Sequence, residues 1–433
     1  MIEPKTRSVV VVGAGLAGLV SALTLQQSGY SVVLLERRSQ VGGLCGTFEM
    51  DGYRFTIACN DFGSGLAALL RELAVEQQFE YKESRIFYDG AWFNAAPDLK
   101  YIPGLWRDRG NLCRLLMGIL IQQLPTSRTC SIEAFVDRYT RQGAVNDLAK
   151  ITAYFMGVAP YDMETSFFGL DSRYRYGYVK MACPTGGPQQ LADSIAKRFL
   201  DQGGKLLLNT RYQKSRKPNG IFQVEVLGEQ GCTMLECEYL VDTTGQVPHY
   251  PADTKRGLPL SMLCLAVDSA YAYPSNTHTL LFYEPGISDW FKALDSGAYP
   301  QRFGFHLFRN DVAQSDASAC TINTYFYLPR GVQQLDADQR AHYQRCLMER
   351  MELMLPDIGR HVRYSRILTP DDFEKMHGLS SRVMPYVTAA RKPGNVGDTE
   401  GLYYAGHTVF PPGEHAGAAA LSGHLVARSI IAA

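Results

Sequence analysis

Apolar and polar positions alternate between a few clear regimes along this chain of 433 residues. An apolar run at Ser8–Val12 is followed by three closely spaced glycines. Apolar residues then dominate Leu16–Ser28 on every face, and Ser31–Leu35 is apolar again. Short apolar runs bounded by turn residues read as buried strands, and the longer one as a buried helix. The opening therefore predicts a βαβ unit.

Further on, Leu191, Ile195 and Phe199 recur at helical spacing within Gln189–Gln202, which ends at Gly203 and Gly204. A strand is expected at Lys205–Leu208. Ile221–Val226 and Cys232–Cys237 read as a hairpin, and Tyr239–Asp242 as a strand entering a glycine turn at Gly245. Near the end, Gly401–Ala405 predicts a short strand, and a helix is expected from Ala416 to about Ile431. The apolar stretch Leu112–Leu124 is interrupted by Arg114 and is too short to span a bilayer. A core helix of a helical subdomain is the expectation there. A helix on a membrane surface or at the mouth of a lipophilic pocket is the alternative. Tyr174, Tyr176 and Tyr178, and again Tyr325 and Tyr327, alternate as along one face of a strand; the wall of an aromatic pocket is the second reading.

The glycine turn carries the first chemistry. Gly13 permits a tight turn, Gly15 lets backbone approach a pyrophosphate, and Gly18 lets helix and strand pack closely. The helix start at Leu16 and Ala17 then offers free N–H groups and a positive dipole end to phosphate. Glu36 follows at the end of the second strand, where a carboxylate accepts hydrogen bonds from a ribose diol. The unit predicts a bound dinucleotide.

After Glu36 come Arg37 and Arg38, the pair Gly42 and Gly43 with Leu44, and then a strand with Gly52, Tyr53 and Phe55. Here the chain resembles the FAD-dependent oxidoreductases of the amine oxidase and phytoene desaturase type. The later block of Pro184, Gly186 and Gly187, amphipathic helix, glycine pair and strand is similar to the central motif of the phytoene desaturases and carotenoid isomerases. The resemblance implies an α/β fold. Its Rossmann-like FAD-binding domain is of the glutathione reductase type, and its second, discontinuous α+β domain binds substrate. Residues 1–83, 181–250 and 393–433 are assigned to the first and 84–180 and 251–392 to the second. FAD contacts are then expected at Gly13, Gly15, Leu16, Ala17, Gly18, Glu36, Arg37, Gly42, Gly43 and Leu44. Later segments are expected to add Tyr212, Thr244, Gly245, Gly406, His407, Ala416, Gly417 and Ala418. A helix start rich in Gly and Ala can approach a flat ring, and its dipole favours negative charge there.

A bound flavin carries the redox chemistry itself, so no catalytic triad is required. His415, Glu414 and Asp61 are the acid/base candidates, by their expected places beside the flavin. The resemblance implies hydride removal from an apolar, conjugated or aromatic small molecule, with oxygen or another acceptor taking the electrons. A flavin amine oxidase is the competing enzyme reading. A redox-neutral isomerase, or a non-catalytic carrier like the GDP-dissociation inhibitors, comes behind it.

Composition narrows the field. Lys plus Arg and Asp plus Glu number 43 each, leaving no basic field to draw nucleic acid. Ten cysteines show no metal-site or disulfide spacing, which suits a reducing cytoplasmic compartment, with peripheral membrane contact open through Leu112–Leu124. There is neither a nucleophile elbow nor a zinc-protease motif to support a hydrolase.

Overall fold

The computed structural model describes residues 7–59, 62–94, 105, 108–122, 130–155, 159–165, 181–245, 257–310, 314–378, 392–411 and 416–433. The opening strand (Ser8–Val12) lies at the centre of a five-stranded parallel sheet. Its neighbours are Tyr239–Asp242 on one side and Ser31–Leu35 on the other, with Leu402–Tyr404 and Lys205–Leu207 at the edges. The sheet thus draws its strands from three distant stretches of chain. Val9, Val10 and Val11 are almost wholly buried, as a strand covered on both faces requires.

The first helix (Leu16–Gln27) packs against the closing helix (Ala416–Ala432) and the Gly187–Asp201 helix. Ten of its residues, Leu16 to Leu25, are buried. The crossing with the closing helix is close enough that a Cβ on Gly423 would stand 2.1 Å from the Ala17 carbonyl oxygen. Small residues at Ala416, Gly417, Ala420 and Ala427 let the two backbones approach, and each buried Leu and Val adds about 1.5–3 kcal/mol.

The hairpin expected downstream is present as Phe222–Gly228 and Gly231–Cys237, joined by Arg211–Arg216 into a three-stranded antiparallel sheet. A larger sheet of eight strands forms the second layer system. Its order runs Val362–Leu368, Leu260–Asp268, Ala319–Tyr327, Gly304–Arg309, Thr277–Tyr283, Phe79–Tyr88 and Ala91–Asn94, with Met181–Pro184 paired to Phe79–Tyr88. One face packs on the Ala337–Met354 helix through Phe326, Tyr343 and Leu347. The other carries Tyr325 and Tyr327, both buried, so this aromatic pair belongs to the core of a strand. Tyr174, Tyr176 and Tyr178 lie outside the described residues.

One expectation is overturned. The helix Arg109–Gln122 is not a core helix: Leu116, Met117 and Leu120 are 52 %, 59 % and 67 % exposed, and Ile119 and Ile121 are open as well. It presents Asn111, Leu115 and Gly118 to its neighbours instead. Its apolar side chains outnumber the places on the packed side. Among the described residues no helix is long and apolar enough to cross a membrane.

Candidate functional site

A cleft of about 510 Å³ opens along the C-terminal edge of the parallel sheet. Midway along it, past the central strand, Gly13 turns with φ +99°, and Thr243 Oγ1 pins the turn by donating to the Val12 and Gly13 carbonyls at 2.8 and 3.1 Å. A Cβ on Gly18 would sit 1.8 Å from the Gly13 oxygen, so only glycine fits. Gly18 itself is not part of the cleft wall; it sets the distance between turn and helix. No side chain caps the first helix at Gly15, and Leu16 and Ala17 line the cleft, so its leading N–H groups are available to an anion.

Glu36 is only 6 % exposed and its carboxylate is fixed from both sides. Oε2 accepts from the Ala14 N–H at 2.9 Å and Oε1 from the Arg38 N–H at 3.0 Å. Each oxygen retains a further lone pair on the cleft side for a hydroxyl donor. Gly42 and Gly43 both take left-handed φ, +113° and +55°, and Gly43 packs over Gly15 so closely that a Cβ would lie 3.1 Å from the Gly15 Cα. Leu44 continues this wall.

The two arginines divide. Arg37 is exposed and donates to the carbonyls of His377 and Gly378 at 2.9 and 3.0 Å, although its stem borders the cleft. Arg38 is the inward one. Burial lowers its pKa, and its guanidinium donates to the Gly43 carbonyl at 3.2 Å. Opposite, Thr210, Arg211 and Tyr212 follow the strand Lys205–Leu207 and line the cleft, with Tyr212 Oη 2.9 Å from Ser215 Oγ.

Toward the Leu402–Tyr404 edge of the sheet the cleft is lined by Thr244, Gly245, Gly406, His407 and Ala416. Gly406 has φ +134° with open space where a side chain would project. The loop beyond it is held by two side chains that no sequence pattern announced. Ser422 Oγ accepts from the Gly406 N–H at 3.1 Å and donates to the Phe410 carbonyl at 2.8 Å. Asn395 Nδ2 donates to the Tyr404 and Phe410 carbonyls at 3.0 and 2.9 Å and to Ser422 Oγ at 3.1 Å. Lys392 bonds the His407 carbonyl. On the closing helix Ala416 and Ala419 face the cleft, whereas Gly417 and Ala418 do not line it.

Cys45 and Cys59 also line the cleft. A hydrogen bond with Cys59, then burial, hold the Cys45 thiol well above its ordinary range, so it is protonated and unreactive at neutral pH. Asp61, Glu414 and His415 lie outside the described residues. Among the described residues no cluster of His, Cys, Asp and Glu could hold a metal ion.

Known proteins are similar to this chain in sequence or fold. Residues 11–73 match a family model described as an NAD(P)-binding Rossmann-like domain. A 4,4'-diaponeurosporene oxygenase of Staphylococcus aureus is 23 % identical over 495 aligned positions, covering 94 % of this chain and 95 % of that protein. An oxidoreductase from Methanosarcina mazei superposes with a TM-score of 0.67 at 15 % identity, over 97 % of this chain and 100 % of its own. Cyclohexylamine oxidase from Brevibacterium oxydans does so with 0.64 at 14 % identity, over 99 % of each chain. Cleft and fold together define an oxidoreductase built on a dinucleotide-binding domain. In sequence the chain is similar to the diaponeurosporene oxygenase, and in fold to the amine oxidases.

Proposed function

We propose that the cleft holds FAD and that the protein removes hydride from a carbon of an apolar or conjugated small molecule, passing the electrons to oxygen or another acceptor. The observation that carries the reading is the continuity of the cleft. One cavity runs from Glu36, past the open backbone at Gly15 and Gly43, to Gly406 and Ala416. That sequence suits a ribose, a pyrophosphate and a flat ring in turn. A Cβ at Gly43 would press on the Gly15 backbone, and at Gly406 it would project into the cavity, so the cradle fits the group. The substrate class is supported by the similarity to a diaponeurosporene oxygenase along nearly the whole chain.

Bound FAD would supply the hydride acceptor. The chain's own part is to bind and to shield. Glu36 takes the ribose hydroxyls, the N–H groups after Gly15 take phosphate charge, and the closing helix turns its positive end to the ring. His415, Glu414 and Asp61 are assigned to proton handling at the substrate side. Residues 1–83, 181–250 and 393–433 form the FAD-binding domain in this reading, and 84–180 with 251–392 the substrate domain.

The test is anaerobic incubation of the yellow holoprotein with a panel of polyenes and of amines. Bleaching of the flavin absorbance by a polyene alone supports the proposal. Bleaching by amines instead, with peroxide on admission of air, overturns it in favour of an amine oxidase on the same scaffold.

A further inference from the structure

The hairpin that follows the Gly42 and Gly43 turn brings two thiols together. Thr47–Met50 pairs antiparallel with Tyr53–Thr56, Thr47 standing opposite Thr56. Beyond the open end of this hairpin the two segments stay zipped. The Ile57 N–H donates to the Gly46 carbonyl at 2.9 Å, and the Ala58 and Cys59 N–H groups both donate to the Leu44 carbonyl, at 3.1 and 3.0 Å. The carbonyl that receives Cys59 thus belongs to the peptide unit entering Cys45. Cys45 is held on its own side by its N–H bond to the Gly42 carbonyl at 2.9 Å.

Both side chains line the cleft, and they pack together with a hydrogen bond between the thiols. Cys45 is the inner one, buried, and Cys59 is half-buried. A lone buried cysteine behaves as a small apolar residue. A thiol in contact with a second thiol differs, because oxidation of one leaves the other placed to capture it. A disulfide needs its sulfurs about 2.0 Å apart, and here side-chain torsion alone has to close the gap, since backbone hydrogen bonds already fix both segments.

We propose that Cys45 and Cys59 form a redox couple in the wall of the cleft, closed to a disulfide by hydrogen peroxide and opened again by thiols. Cys59 reacts first, as its thiolate. An S–O bond forms, the peroxide O–O bond breaks, and hydroxide leaves to take up the proton that Cys59 gave. Cys45 then attacks the Cys59 sulfur: the S–S bond forms, the S–O bond breaks, and the Cys45 proton departs with that oxygen as water. Each sulfur loses one electron, and peroxide gains two and ends as two waters. The order follows from the geometry. Cys45, buried and protonated, is inert toward reagents in solution and has only to reach the sulfur that it already touches. Where oxygen takes the electrons, as in the function proposed above, peroxide arises in this same cleft. The thiol chemistry itself rests on the cleft wall alone.

The experiment is peroxide treatment of the full-length protein, alkylation of the remaining thiols under denaturing conditions, and tryptic mapping by mass spectrometry. Arg54 separates the two cysteines, and Arg38 and Arg71 bound the two peptides, each of which holds a single cysteine. After cleavage only a disulfide can keep them joined. The expected result is a linked Cys45–Cys59 species with about two thiols lost per chain, and the return of both on adding dithiothreitol. The exposed Cys113 and Cys232 should enter no linkage within the chain. Cys45→Ala should trap Cys59 as a sulfenic acid, read as a dimedone adduct. Cys59→Ala should abolish the linked species and leave Cys45 a free thiol. Wild-type peptides that stay unlinked, or a folded Cys45→Ala protein with no adduct at Cys59, overturn the proposal. Flavin content is read on the same samples. Colourless protein that still forms the bond sinks the FAD reading and upholds this one, and yellow protein with unlinked peptides does the reverse.

Discussion

The two large sheets hold their neighbouring segments by opposite means. At the parallel sheet the site is made of backbone. Gly13, Gly18 and Gly43 are spaced so that carbonyls and Cα atoms meet where no side chain fits. Where the eight-stranded sheet meets the Tyr53–Thr56 strand, the work falls to buried side chains. Asn323 Nδ2 donates to the Thr56 carbonyl at 2.7 Å and to Tyr325 Oη at 3.0 Å, and Asn310 Nδ2 donates to Asn323 Oδ1 at 2.8 Å. Backbone-made contacts tolerate no added atom. Side-chain-made contacts tolerate change in shape but not an unpaired polar group.

That contrast can be broken by substitution. Gly18→Ala drives a methyl group into the Gly13 carbonyl and should cost about 3 kcal/mol or more of stability, with loss of flavin on purification. Urea unfolding and flavin content check both; a stable, yellow variant would refute the backbone account. Glu36→Ala should weaken FAD by about 2–3 kcal/mol, read by titration of the apoprotein, since it removes a fixed acceptor that also ties Ala14 and Arg38. Asn323→Ala should cost about 2 kcal/mol in folding while leaving flavin affinity within about twofold. Equal losses in both quantities would show that the two sheets are not separable in this way.

A pH series sharpens the same comparison. Burial pushes His306 down to about 3, and burial beside Arg38 takes His377 to about 4. Both are neutral in the folded protein, whereas an unfolded imidazole takes a proton below about 6.5. Stability is therefore full above that pH and declines as pH falls from about 6.5 toward 4, by at most about 1.4 kcal/mol per unit for each group. His306, bonded to Tyr283, lies in the eight-stranded sheet, so His306→Gln should flatten the slope of thermal midpoint against pH without changing flavin content. The smallest effect is expected at Ser422→Ala, about 1 kcal/mol, through the loop from Gly406 to Phe410.

What the sequence disclosed follows the same division. The opening unit was legible almost residue for residue, because glycine spacing and a terminal acid are local signals. Its strands Ser8–Val12 and Ser31–Leu35 stand where the apolar runs placed them. The strand Tyr239–Asp242 and the start of the closing helix at Ala416 were legible for the same reason. Asn395 and Ser422 were not, since a hydrogen bond across 27 residues leaves no periodic trace. Nor was the division of labour between Arg37 and Arg38, adjacent residues that differ only in which way the strand end turns them. The Arg109–Gln122 helix misled because apolar composition says what a segment can bury, not whether the fold offers a partner.

The central claim is that the cleft beside Glu36 grips FAD. Denaturing freshly purified protein and analysing the supernatant tests it most directly, followed by adding FAD to the apoprotein and recording its thermal midpoint. The account predicts release of FAD in near-stoichiometric amount and a midpoint raised by several degrees on its return. A colourless protein that releases no flavin, and whose midpoint does not move when FAD is supplied, would contradict it.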